Sequence, residues 1–279
     1  MILSLWNRFT DDTAFLLEST ARLMLSAMLD TAMAEHPMLK AARERLKPQM
    51  SVKDGVARIP VEGVLAHRPD VMEMAVFGVE DSRNVLDMVQ SATEAKDVKA
   101  ILLDIDSPGG FSVGGFEIAD AVAHANTVKP TYAHISGMGA SLAYMIASQA
   151  GKIIANRSSI VGSIGAYIVN VDRSKLAESR GLKVEVFKNK EAKFKAMGIP
   201  GTSLNDDQRK HITEKVQGDF DEFKSMVKTS RPGIPESAMQ GQTYSGRVAK
   251  GYGAVDIVGS GNYALGMIKA TANLIYNTQ

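Results

Sequence analysis

The chain contains no cysteine in 279 residues. That excludes disulfides, a thiol nucleophile and thiolate metal sites. Neither sign of charge prevails: 32 basic and 31 acidic residues leave a net charge of +1. With no concentrated basic block, nothing attracts a phosphate backbone, and nucleic-acid binding is not expected. Long apolar runs are absent as well. The one long run without Asp, Glu, Lys or Arg, Pro130–Gly151, is broken by His134, Ser136, Ser141, Gln149 and several glycines, so a membrane-spanning helix is not expected. The apolar start Met1–Trp6 is interrupted at once by Arg8, Asp11 and Asp12, which argues against a signal peptide. There is no 20–50-residue repeat and no low-complexity segment.

What is present is an ordinary apolar content of 45%, enough to bury a large core. Residues 13–46 are rich in Ala, Leu, Met, Glu and Arg and predict a helical N-terminal appendage, residues 1–50. Ala14–Met33 contains Glu18, Arg22 and Asp30. It predicts an amphipathic helix that packs on protein, because few basic residues would hold it on a membrane surface. Residues 51–279 form the main domain. A strand is expected around Val56–Leu65 and a loop over 67–82. Strands over Val98–Ile105, Thr131–Ile135, Lys152–Ala155, Ile164–Val171 and Val184–Phe187 then alternate with helices over Asn84–Ala95, Phe116–His124, Ala140–Ala150 and Arg173–Ser179. This alternation predicts an α/β fold with a buried parallel sheet of βαβ units. A long helix follows over Asn205–Thr229, with Asn205 as its N-cap and Asp206 and Asp207 in its first turn. Short helices at Ser245–Lys250 and Asn262–Tyr276 close the chain.

Three small-residue turns carry hydroxyls or free amides. Asp104-Ile-Asp-Ser-Pro-Gly-Gly110 lies between a strand and a helix, where its glycines allow a sharp turn and leave N–H groups unobstructed for an oxyanion. No Gly-Lys-Ser/Thr follows, so it is not a phosphate loop. Gly139-Ala-Ser-Leu142 sits between a strand and a helix, and Ser141 is there either a nucleophile or a small helix-capping residue. In the first case the Leu142 amide and a glycine amide of the Ser107–Gly110 turn would share the oxyanion. Ile160-Val-Gly-Ser-Ile-Gly165 places a third hydroxyl at Ser163.

A serine nucleophile needs a base. Of five histidines only His67, in the irregular segment, suits that role. The alternative is a lysine from Lys188-Asn-Lys-Glu-Ala-Lys-Phe-Lys195, a run that also reads as a solvated basic loop. Lys195 has Phe194, Ala196 and Met197 around it, and a lysine on apolar surface gives up its proton more readily.

Taken in order, these segments resemble the signal peptide peptidase A family of serine proteases, which has the ClpP/crotonase fold, and in particular its phage and prophage head (capsid) maturation members. The resemblance runs from about Val56 to Gly259. It takes in Asp-Ser-Pro-Gly-Gly, the Ala-Ser corner with Tyr144, the Gly-Ser-Ile-Gly turn, the Lys-Phe-Lys loop, Tyr244-Ser-Gly-Arg-Val-Ala and Gly253-Ala-Val-Asp256. It implies a Ser-Lys dyad of Ser141 and Lys195, with Ser163 orienting the lysine. The oxyanion would be held by the amides of Gly109 or Gly110 and of Leu142. Leu142-Ala143 stands where cellular members often have two glycines, and Ala192 where the lysine loop often has one, which keeps Lys193 open as the base. No cofactor or metal is implied. A protein or peptide substrate such as a capsid or scaffold protein, a homo-oligomer and a cytoplasmic or phage-head setting are. A soluble bacterial signal-peptide-peptidase-like protease and a crotonase-fold acyl-CoA enzyme are the competing readings.

Overall fold

The computed structural model describes residues 48–276. The appendage helix expected over 13–46 lies outside the described residues. The chain divides into two compact units, one of residues 41–166 and 219–279, the other including residues 167–218.

The larger unit is built on one sheet. Its strands are β1 (Ser51–Lys53), β2 (Val56–Ala66), β3 (Val79–Asp81), β4 (Ala100–Gly110), β5 (Thr131–Ala140), β6 (Lys152–Ala155), β7 (Ile160–Gly162), β8 (Thr243–Ser245) and β9 (Ile257–Val258). The main path runs β1-β2-β4-β5-β6-β9; β3 pairs with β2, while β7 pairs with β5 and β8. Only the β1–β2 and β7–β8 pairings are antiparallel. Helices α1 (Val71–Phe77), α2 (Ser82–Glu94), α3 (Gly115–Val128) and α4 (Leu142–Ser148) connect strands along the first half. This is the α/β architecture expected from the alternating pattern.

Strand side chains alternate between two cores, as a period of two requires. Ala57, Ile59, Val61, Ile101, Leu103 and Ile105 point into the larger one, with α2, α3 and α4. Val56, Ala100, Leu102, Tyr132 and Ile154 point to the opposite face. There Ala264, Ile268 and Ala272 of helix α8 (Gly261–Tyr276) cover them at i, i+4 spacing. Both faces being covered is the reason a mostly parallel sheet of apolar runs is stable here. Each fully buried Ile or Leu contributes roughly 1.5–3 kcal/mol to that stability.

The smaller unit contains α5 (Ser174–Ser179) and the first part of α6 (Asp206–Ser230). Asn205 caps α6 as expected: its side chain accepts from the Gln208 amide (2.9 Å) and its own amide donates to Gln208 Oε1 (3.1 Å), a reciprocal capping box.

Four expectations are corrected. The segment 67–82 is not a loop but holds α1 and β3. Asp70 and Glu73 cap α1 reciprocally (2.7 and 2.8 Å), and seven residues are too few for periodicity to reveal a helix. Ser107–Gly110 is not a turn outside the sheet but the end of β4. Ile164–Val171 and Val184–Phe187 are not strands; β-branched composition yields a strand only where another edge offers a ladder. Finally, β7, β8 and β9 were not anticipated. At two or three residues each, they fall below what alternation can show.

Candidate active site

The site lies where β4, β5 and β7 end. β5 runs through Ala140, and Ser141 turns the chain into α4. Ser141 has φ 51 and ψ −126, a combination that an L-residue occupies only under constraint. Two backbone bonds hold it: its amide donates to Gly162 O (2.9 Å), and its carbonyl accepts from Met145 N (3.0 Å). Its side chain makes no capping bond to the helix, so the capping alternative for Ser141 has no support in the geometry. Ser141 is half-buried, while Leu142–Ser148 behind it is buried. Tyr144 anchors that helix from within, donating its phenol to Ala254 O at 3.0 Å; burial pushes its ionisation well up.

Gly109 closes on this corner from β4. It has φ 98, and a Cβ placed on it would lie 2.8 Å from both Ala140 O and Leu142 N and 2.9 Å from Ser141 Cβ. Only glycine permits that approach. Leu142 is the first residue of α4, so its N–H has no acceptor inside the helix. The glycine strand, the hydroxyl and a helix-start amide therefore converge.

Gly109 and Gly110 are not equivalent there. The Gly109 amide donates to Ser107 Oγ (3.1 Å). Leu65 pairs with Gly110 in register, and Leu65 O takes the Phe111 amide at 2.9 Å. In a parallel ladder this pattern turns the partner residue's own N–H away from the paired strand. The Gly110 amide thus points away from β2, on the side where β5 and Ser141 lie.

Ser163 follows β7 directly. It too has positive φ (53) and is partly exposed. Its amide donates to Gln242 O (2.7 Å), just before β8, which pairs Val161 with Tyr244 and Gly162 with Thr243. One role of the distant Tyr244-Ser-Gly-Arg segment is therefore to back the strand that leads to Ser163. Asp256, in the Gly-Ala-Val-Asp segment, accepts from Ile153 N (2.7 Å) and Arg231 Nη1 (2.9 Å). These positions hold the sheet beneath the site; the sequence offered their motifs without their mechanical role.

Lys193 and Lys195 belong to the other unit. Both are exposed, and Phe194 between them stacks on His211 (ring centroids 4.6 Å apart). The Lys193 carbonyl accepts from Lys188 Nζ at 2.9 Å. His67 is exposed and lies beside Gly114: a Cβ on that glycine would be 3.1 Å from His67 Nδ1. Among the described residues no cluster of three His, Asp or Glu could hold a metal ion.

A serine on a strained corner, beside a helix-start amide and a closely approaching glycine strand, is an arrangement suited to acyl transfer. Comparison with known proteins agrees. The profile of Peptidase family S49 matches residues 123–274, which include Ser141, Ser163, Lys193 and Lys195. Capsid assembly protease C of Escherichia phage lambda is 26% identical over 208 residues, covering 74% of this chain and 46% of that protein. A candidate signal peptide peptidase SppA of Enterococcus faecium is 29% identical over 225 residues, covering 78% of this chain and 64% of that protein. The chain thus spans less than two thirds of the length of either relative. The solved structure of a membrane-bound stomatin-specific protease covers 77% of this chain and 84% of its own at 14% identity and TM-score 0.47. With a profile spanning more than half of its length and the serine corner inside the match, the chain belongs to Peptidase family S49.

Proposed function

We propose that the protein is a serine endopeptidase that cleaves peptide bonds through an acyl-enzyme. The observation that carries this reading is the convergence of Gly109, Leu142 N and the strained Ser141 in a chain of Peptidase family S49. Ser141 Oγ attacks the scissile carbonyl. Lys195, as the free amine, accepts the hydroxyl proton and delivers it to the leaving amine; water then releases the acyl group. Ser163 orients the lysine. The amides of Leu142 and Gly110 hold the oxyanion, the inward bond of Gly109 setting its own amide aside. Lys193 is the second choice of base, His67 the third. The substrate is an extended polypeptide laid against strand edges. The phage lambda relative's name, capsid assembly protease, favours a capsid or scaffold protein; the Enterococcus relative favours a cellular role in the same chemistry. No described helix is long and apolar enough to cross a membrane, in keeping with a cytoplasmic or phage-head setting. Assembly as a homo-oligomer is part of the proposal: Tyr167 and Phe187 are 84% and 91% exposed in the single chain, apolar surface that a second copy would cover.

The test is labelling by a fluorophosphonate probe, located by mass spectrometry, together with cleavage of candidate capsid proteins. Labelling at Ser141, and fragments that vanish in Ser141→Ala and in a folded Lys195→Ala, are the expected results. A chain that polarises a thioester without labelling would be the acyl-CoA enzyme instead. Continued turnover in Lys195→Ala would move the base to Lys193 or His67.

A further inference from the structure

We propose that Ser107 is a positioning residue whose hydroxyl aims the Gly110 amide at Ser141; the proposal rests on the peptidase reading above. Ser107 is fully buried (0% exposed) and sits where β4 loses regular pairing on both sides. The β2–β4 register shifts between Glu62 and Val64, and the β4–β5 register shifts between Ile105 and Ser107. At such a bulge one residue drops out of the ladder and its polar groups need another partner. Here Gly63, at φ 67, is the residue left out on β2. Its carbonyl is taken by the Ser107 hydroxyl, which donates at 2.6 Å. The same oxygen accepts the Gly109 amide at 3.1 Å.

One hydroxyl thus serves as donor and acceptor at once. It ties the peptide ahead of Gly109 to β2, while the Phe111 amide on Leu65 O ties the peptide after Gly110 to the same strand. Between these two ties lies the 109–110 peptide, whose N–H points the other way, toward the nucleophile. Asp106 makes the matching tie on the opposite side, where its Oδ1 accepts the Met138 amide at 2.9 Å. Proline at 108 cannot donate a bond of its own, so on the β2 side the alignment of the glycine pair depends on Ser107. Ser107 does not touch the reacting atoms; it acts through the backbone of Gly109 and Gly110.

The experiment compares wild type, Ser107→Ala and Ser107→Thr in three measurements. The first is steady-state cleavage of a peptide substrate. The second is inhibition by a peptide aldehyde, whose adduct places an oxyanion in the site. The third is NMR hydrogen exchange of the Gly109 amide, which requires no activity. Removing an oxyanion donor outright costs about 10²–10³-fold in kcat, so a mis-aimed donor in Ser107→Ala should cost about tenfold or more. KM should stay within about twofold, and aldehyde affinity should fall by the same factor as kcat. Ser107→Thr keeps the hydroxyl and should restore most of the rate. Gly109 exchange should be slow in the wild type and much faster in Ser107→Ala. A Ser107→Ala enzyme with unchanged kcat and aldehyde affinity, or with only KM altered, would overturn the proposal. So would a rapidly exchanging Gly109 amide in the wild type, a measurement that stands even if Ser107→Ala fails to fold. If the wild type neither labels nor cleaves, the peptidase reading fails, and the exchange arm still decides whether Ser107 holds the glycine strand.

Discussion

At Ser141 backbone strain and the proposed chemistry share one residue. Glycine would occupy φ 51, ψ −126 without a Cβ penalty, so Ser141→Gly should stabilise the fold by about 1 kcal/mol while removing the proposed nucleophile. Ser141→Ala retains the Cβ and should bring no such gain; urea unfolding of the two variants compares them, and a destabilised Ser141→Gly would mean the corner is not strained. Glu80 on β3 is a second residue with a measurable signature. It is 5% exposed, and burial pushes its carboxyl up to about 7, with Asp81 and Glu62 adding repulsion and the Asn84 hydrogen bond opposing. The folded-state value exceeds that of the unfolded chain, so folding takes up a proton. The stability it contributes is complete below the ordinary carboxyl range and is lost as pH rises through about 7. Glu80→Gln should therefore match the wild type near pH 4 and exceed it by about 1–3 kcal/mol at pH 8. Denaturation midpoints at both pH values give the result, and equal gains at both would refute the burial explanation.

Among elements, the short strands β7, β8 and β9 bear on the site more than their length suggests. Gly246, just after β8, lies so close to Asn156 O that a Cβ would overlap it, and its amide donates to Ser159 O at 2.8 Å. Gly246→Ala should thus displace β8 from β7 and shift Ser163, lowering the proposed peptide cleavage more than Ala substitution at the exposed Lys250 of the same short helix, α7 (Gly246–Gly251). Asp256 joins the end of α6 to the start of β6 through Arg231 and Ile153 N. Arg231 is only 10% exposed in its side chain, so Asp256→Ala takes the carboxylate from a buried cation that keeps only the Ser148 and Ala150 carbonyls, and leaves the Ile153 amide without its acceptor. A loss of about 2–4 kcal/mol is expected by chemical denaturation; a loss within 0.5 kcal/mol would show that water replaces the carboxylate there.

Across the whole molecule, burial is unequally divided. Nearly all of the buried apolar side chains belong to residues 41–166 and 219–279; in residues 167–218, Ala177 and Leu204 are the buried apolar ones among those described. Between Tyr167 and Asn205 the only regular element is α5, of six residues. Amides there should exchange within seconds to minutes, while β4 and β5 resist for hours, and trypsin should cut first at the exposed Lys188–Lys195 run. Mass-spectrometric exchange and a brief digest test both; protection of 167–205 equal to that of β4 would contradict the assignment.

The order of apolar runs and helices was enough to establish a parallel α/β sheet, because βαβ units write their periodicity locally. The same holds for the capped start of α6, where Asn205 and Gln208 are three residues apart. Ser141, Ser163 and the glycine pair were visible as small-residue punctuation within single segments. Which glycine amide turns away from β2 was not visible, because that depends on the register of β4 against β2 and on Phe111 bonding Leu65. Nor was the hydrogen bond from Ser107, whose acceptor Gly63 lies 44 residues away. Backing of Ser163 by Gln242 and Tyr244 likewise comes from chain some 80 residues later. Local propensity sets elements; only strand register, a long-range property, sets where an N–H points.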